Sequence, residues 1–112
     1  MFFVKFHNSD RHPIDIKTYD REWNEGILKS KLGPEEEFSH ETYFTQKFLF
    51  KRSETKDRLK ATANGVTSEV FEGCRFGAEP GRLLFVNIIS GNILPEIVDF
   101  YFKPLFLELK NL

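Results

Sequence analysis

Three histidines, one cysteine and a run of carboxylates are the residues of this 112-residue chain whose types could do chemistry. His7, His12 and His40 stand at spacings of five and 28. Protein zinc sites repeat their ligands closely, as two His one helical turn apart or as a Cys–His cluster. Neither pattern occurs, so the expectation is no metal, no cofactor, and histidines at the surface or at strand edges. Cys74 sits between Gly73 and Arg75. A neighbouring cation favours a thiolate, but a nucleophile also needs a base and an oxyanion donor. The sequence nominates neither, and a small buried side chain is the simpler expectation.

Glu35, Glu36, Glu37 and Glu41 supply grouped carboxylates. General acid–base work needs two carboxyls in different environments. A run of three beside Pro34 reads more simply as the first turn of a helix, where negative charge meets the positive end of the helix dipole. The glycines lack both the Lys–Ser/Thr of a phosphate loop and the G-x-G-x-x-G fingerprint. No catalytic set is expected, and the chain reads as a non-enzyme.

Binding chemistry is better represented. The net charge of −1, from 16 bases and 17 acids, hides a strong asymmetry. Asp15 to Glu41 holds eight acids and four bases, a net −4, and Lys47 to Lys60 holds six bases and two acids, a net +4. Aromatics are interleaved with the acidic tract, so Tyr19, Trp23, Glu35, Glu36, Glu37 and Glu41 form a candidate face for a basic protein partner such as a toxin or nuclease. In size and charge layout the chain is similar to small immunity proteins that neutralise bacterial toxins. That similarity implies a cytoplasmic, non-enzymatic inhibitor that acts by occlusion. The alternative is a small nucleic-acid-binding domain. There Tyr43, Lys47, Lys51, Arg52 and Lys56 would stack bases and hold phosphates.

These residues need elements to position them. One domain spanning 1–112 is expected at this length. Met1–Val4 is broken at once by Lys5, so no signal peptide is read. The uncharged stretch from Leu83 to Pro95 is too short to cross a bilayer. A cytoplasmic location, with Cys74 reduced, follows as an expectation. Thirteen phenylalanines are more than so small a core holds, so some are expected outside it.

Phe2 to His7 and Pro13 to Thr18 read as strands. Asp20 to Leu32 is ambiguous, with a short helix ending at Gly33 possible from the spacing of Trp23, Ile27, Leu28 and Lys31. Pro34 to about Thr42 reads as a helix, and residues 43–51 read as a strand. Asn64–Gly65 is the signature of a type I′ hairpin between Leu59–Ala63 and Val66–Val70; a helix from Ser53 capped at Asn64–Gly65 competes with it. Gly77 to Gly81 is a turn. Leu83 to Ile89 is a central strand buried on both faces. Pro95 to Phe102 is a helix or a strand, and Leu105 to Leu109 a last strand. The expected fold is α+β: a single small domain, mainly antiparallel β-sheet with one or two short helices.

Overall fold

A computed structural model describes residues 1–90. The expected segments at 95–102 and 105–109 lie outside the described residues. Among the described residues, nine strands make two sheets: β1 (Phe2–Asn8), β2 (Ile14–Tyr19), β3 (Glu25–Leu32), β4 (Glu37–Thr42), β5 (Lys47–Arg52), β6 (Leu59–Ala63), β7 (Val66–Ser68), β8 (Val70–Phe71) and β9 (Leu83–Ser90). One sheet has the order β4-β1-β9-β6-β7 and the other β3-β2-β5-β8. All pairings are antiparallel except β1 with β9.

The α+β expectation is therefore corrected to an all-β architecture. Among the described residues the helical content is a single three-residue 3-10 turn, Gly73–Arg75. Two local causes explain the misreading. Glu35 takes a left-handed φ of +65°, which a right-handed helix cannot accommodate. The Glu36 carboxylate does accept from the Gly33 N–H at 2.7 Å, as a helix-start carboxylate would. Here, however, it closes a turn that feeds strand β4. Phe38, His40 and Thr42 then alternate with exposed Glu37, Ser39 and Glu41, which is strand periodicity. Residues 25–32 likewise pair with β2 instead of coiling, through two register shifts between Ile14 and Lys17. Lys31, at φ +53°, marks the irregularity, and its N–H donates to the Asp15 carboxylate at 3.0 Å.

The inner faces supply one core. β1 contributes Phe2, Val4 and Phe6, β9 contributes Leu84, Val86 and Ile88, and the second sheet answers with Ile14, Ile16, Phe48, Phe50 and Phe71. The Phe6 ring lies 5.4 Å from Phe48, 5.4 Å from Phe50 and 5.6 Å from Phe71, within the range of favourable tilted ring pairs. β9 is central, as its apolar run suggests, but it is buried on one face only. Leu83 and Phe85 alternate outward and are exposed, beside exposed Phe3 on β1. This corrects the two-sided burial expected for residues 83–89 and places two of the surplus phenylalanines at the surface.

The Asn64–Gly65 turn forms as expected, with φ values of +50° and +78°. The strand after it does not run on to Val70. Val70 N–H donates to Ser68 Oγ at 3.2 Å, and the chain bends there, leaving the first sheet and joining β5 as β8. After β8, Gly73 passes directly over Phe2. A Cβ at Gly73 would press into the Phe2 ring. Gly73→Ala is therefore expected to destabilise the domain by about 1–3 kcal/mol through overpacking, read as a fall in the urea midpoint. An unchanged midpoint would show that Phe2 has room to move.

Candidate functional site

The two sheets place the sequence candidates at opposite ends of the molecule. β2 runs from Ile14, paired with Arg52, to Tyr19, paired with Lys47. Five residue steps at about 3.3 Å each separate these ends by roughly 17 Å. Tyr19 begins the first end. Asp20 to Asn24 follows as a tight turn, and Trp23, at φ +64°, stands on it with 59% of its surface exposed. A bulky residue in this region costs on the order of 1 kcal/mol, so the turn must be held by its surroundings. Asp20 does this. Its Oδ1 accepts from the Glu22 N–H at 2.9 Å and from the Asn24 N–H at 2.8 Å, and its Oδ2 accepts from Asn24 Nδ2 at 3.0 Å. Trp23 N–H donates to the Asp20 carbonyl at 3.0 Å. The Asn24 backbone and side-chain hydrogen bonds hold the Asp20 carboxyl below its usual range, so the clamp carries its charge at neutral pH.

Three more side chains converge there. The Tyr19 ring lies 6.0 Å from Trp23. Lys47 Nζ stands 5.5 Å from the Trp23 ring centre and 3.6 Å from Glu72. Tyr43, in the turn before β5, is 63% exposed. Gln46 ties that turn to β2 by donating from Nε2 to the Tyr19 carbonyl at 2.8 Å. Burial, then the Glu25 charge, pushes the Tyr19 hydroxyl up, so it remains a neutral donor. A shallow cleft of about 160 Å³ opens between the Tyr19 and Tyr43 turns.

This end mixes the two expected faces. Tyr19 and Trp23 come from the protein-binding set and Tyr43 and Lys47 from the nucleic-acid set. Glu41 is exposed on β4 opposite Phe3, two residues before Tyr43. Glu35, Glu36 and Glu37 are not there. The Glu35 N–H donates to the Asn8 carbonyl at 2.8 Å, which fixes that turn at the far end of β1, and Glu37 pairs with Lys5 at 3.6 Å.

The remaining cations of the nucleic-acid set also belong to the far end, where carboxylates occupy two of them. Arg52 donates to Asp10 through Nε at 2.9 Å and Nη2 at 3.0 Å. Lys56 stands 3.9 Å from Asp15. Lys51 is half-buried on β5, opposite Asp15. Cys74 is exposed on the 3-10 turn, against the expectation of burial. Among the described residues no group of three or more His, Cys, Asp or Glu is arranged to hold a metal ion, and no helix is long and apolar enough to cross a membrane.

Asp20 and Gln46 carry the aromatic end and escaped the sequence reading. Asp20 was legible in principle. An Asp followed by polar residues and Asn24 is a side-chain-capped turn, which would have shown that Trp23 sits in a loop. Gln46 acts on a strand 27 residues away and leaves no local signal.

No protein-family model matches the chain, and no curated protein matches it.

Proposed function

We propose that the protein is a non-enzymatic binding module of the cytoplasm that occludes a protein partner through its Trp23 end. The supporting observation is the exposed Trp23 held in a left-handed conformation by the Asp20 clamp. Folding gains little from an exposed indole, and the backbone strain opposes it. A rigid aromatic presented this way has the character of an interface anchor, because tryptophan and tyrosine bury much area at low entropic cost. Tyr19 and Tyr43 widen the anchor. Asp20, Glu22 and Glu41 around it suit a partner with a basic surface, such as a nuclease toxin. Glu35, Glu36 and Glu37 lie beyond the reach of the same contact.

The nucleic-acid reading has less support. Its cations are divided between two ends, and Lys47, Arg52 and Lys56 each have a carboxylate within 4 Å.

The test is affinity capture of the tagged chain from its native cell. A single stoichiometric protein is expected with the unaltered chain. Trp23→Ala is expected to weaken its retention by about 2 kcal/mol or more, the size of an interface hot spot. Charge reversal at Glu35–Glu37 is expected to leave it in place. A partner retained by a Trp23→Ala, Tyr43→Ala double variant would remove the site. Co-eluting nucleic acid that salt strips away would move the assignment to Tyr43 and Lys47.

A further inference from the structure

At the opposite end of the molecule, three side chains have the connectivity of a nucleophile, its base and the group that orients the base. Ser9 Oγ lies 2.9 Å from His7 Nδ1. His7 Nε2 lies 3.1 Å from Glu35 Oε1. The alternation of β1 places His7 on the outward face, and Ser9, two residues on, returns to it. Glu35 reaches His7 because its strained backbone is tied to the neighbouring Asn8 carbonyl.

The carboxylate decides the direction of the chain of hydrogen bonds. It accepts from Nε2–H, which leaves Nδ1 of the neutral ring as an acceptor. The Ser9 hydroxyl therefore donates to Nδ1. Its oxygen also stands 3.5 Å from the Asn87 side-chain amide oxygen. Asn87 Oδ1 is a second acceptor within reach of that hydroxyl. Ser9 itself is held in place by its N–H, which donates to the Ile88 carbonyl at 2.9 Å. A cleft of about 350 Å³ next to this segment is lined in part by Ser9, Arg11 and His12.

We propose that Ser9 is an activated nucleophile that accepts an acyl group from an ester, with His7 as its base and Glu35 as a positioning residue. The Ser9 oxygen attacks the ester carbonyl and its proton passes to His7 Nδ1. The carbon–oxygen bond to the alcohol breaks, the alcohol leaves with that proton, and the acyl group remains on Ser9. This goes beyond the binding role and does not rest on it. The site is open to water, with Glu35 78% exposed, so the result is slow covalent labelling rather than fast turnover. The charged and polar groups facing His7 are Glu35, the cross-strand Glu37 with its partner Lys5, and Asn87 on β9.

The test uses the full chain and diisopropyl fluorophosphate. Ser9 forms the phosphorus–oxygen bond, the phosphorus–fluorine bond breaks, fluoride leaves and His7 takes the proton. Peptide mass spectrometry is expected to find the adduct on Ser9 and none in Ser9→Ala. His7→Gln is expected to slow labelling about a hundredfold, the low end of general-base effects. Glu35→Gln is expected to slow it with an unchanged thermal midpoint. Glu35→Asp is expected to recover part of the rate, since Asp keeps the charge and tolerates the left-handed backbone. A folded chain with no adduct on Ser9, or an equal rate in His7→Gln, would overturn the proposal. Either result leaves the Trp23 test untouched.

Discussion

Phe6→Ala is expected to leave the domain close to unfolding at room temperature. Phe6 is fully buried on β1, beside the central β9, and meets rings from two strands of the opposite sheet, Phe48 and Phe50 on β5 and Phe71 on β8. Truncation removes its transfer free energy and leaves a cavity that four strands cannot easily close. Such changes cost about 3–5 kcal/mol, against a total of roughly 5–15 kcal/mol for a domain. Phe3→Ala is the control, three positions away and on the outer face of the same strand. Its side chain is 43% exposed, and its loss is expected to be well under half as large. Urea denaturation of both variants reads the difference. Similar losses would mean that the outward face of β1 is covered in solution.

Arg52→Met is expected to destabilise the domain by about 3 kcal/mol at pH 7, with the loss shrinking as the pH falls. Only 4% of the Asp10 side chain is exposed, and Arg52 holds both of its oxygens. Burial by itself pushes the Asp10 carboxyl up. The Arg52 hydrogen bonds and charge, with His12, outweigh it and hold the carboxyl below its usual value. A folded-state pKa below the unfolded one stabilises the fold above the unfolded value, and that stability is lost as pH falls through the folded value. Asp15, pushed up by burial but held down by Ser53 and the Lys31 N–H, acts in the same direction.

Removing Arg52 reverses the sign for Asp10. Burial then dominates, the charged carboxylate is uncompensated, and protonation relieves it. Breaking a buried pair in this way costs about 3–5 kcal/mol, whereas replacing both partners by apolar residues is often near neutral. Asp10→Leu combined with Arg52→Met should therefore recover much of the loss at pH 7. Guanidinium unfolding at pH 7 and pH 4 measures both effects. An Arg52→Met penalty that stays constant across that range would mean that Asp10 is solvated by water once Arg52 has gone.

Local signals decided the parts of this fold that local sterics control. Alternation in Phe2–His7, Ile14–Thr18 and Leu59–Ala63 made strands, because apolar residues at period two need one buried face. Asn64–Gly65 made its turn, because few other pairs tolerate two positive φ values in succession. The count of phenylalanines required some to lie outside the core, and Phe3 and Phe85 do. Of the aromatics set among charges in the sequence, Trp23 and Tyr43 lie exposed outside the core, and Tyr19 is half-buried.

Tertiary structure decided the rest. Gly33–Thr42 carries a good helix start, yet β4 forms because its alternate side chains complete the sheet edge beside β1, which it pairs at separations of 30 to 40 residues. β9 is apolar apart from Asn87 and Ser90, and only its neighbours determine that one face is left open. The acidic and basic tracts are each continuous in sequence but are split between two ends, because antiparallel strands carry neighbouring residues about 3.3 Å per step away from each other. The same geometry assembles Ser9, His7, Glu35 and Asn87 from three separate segments. Spacing along the chain reveals only the His7–Ser9 pair, since Glu35 and Asn87 reach it from distant segments.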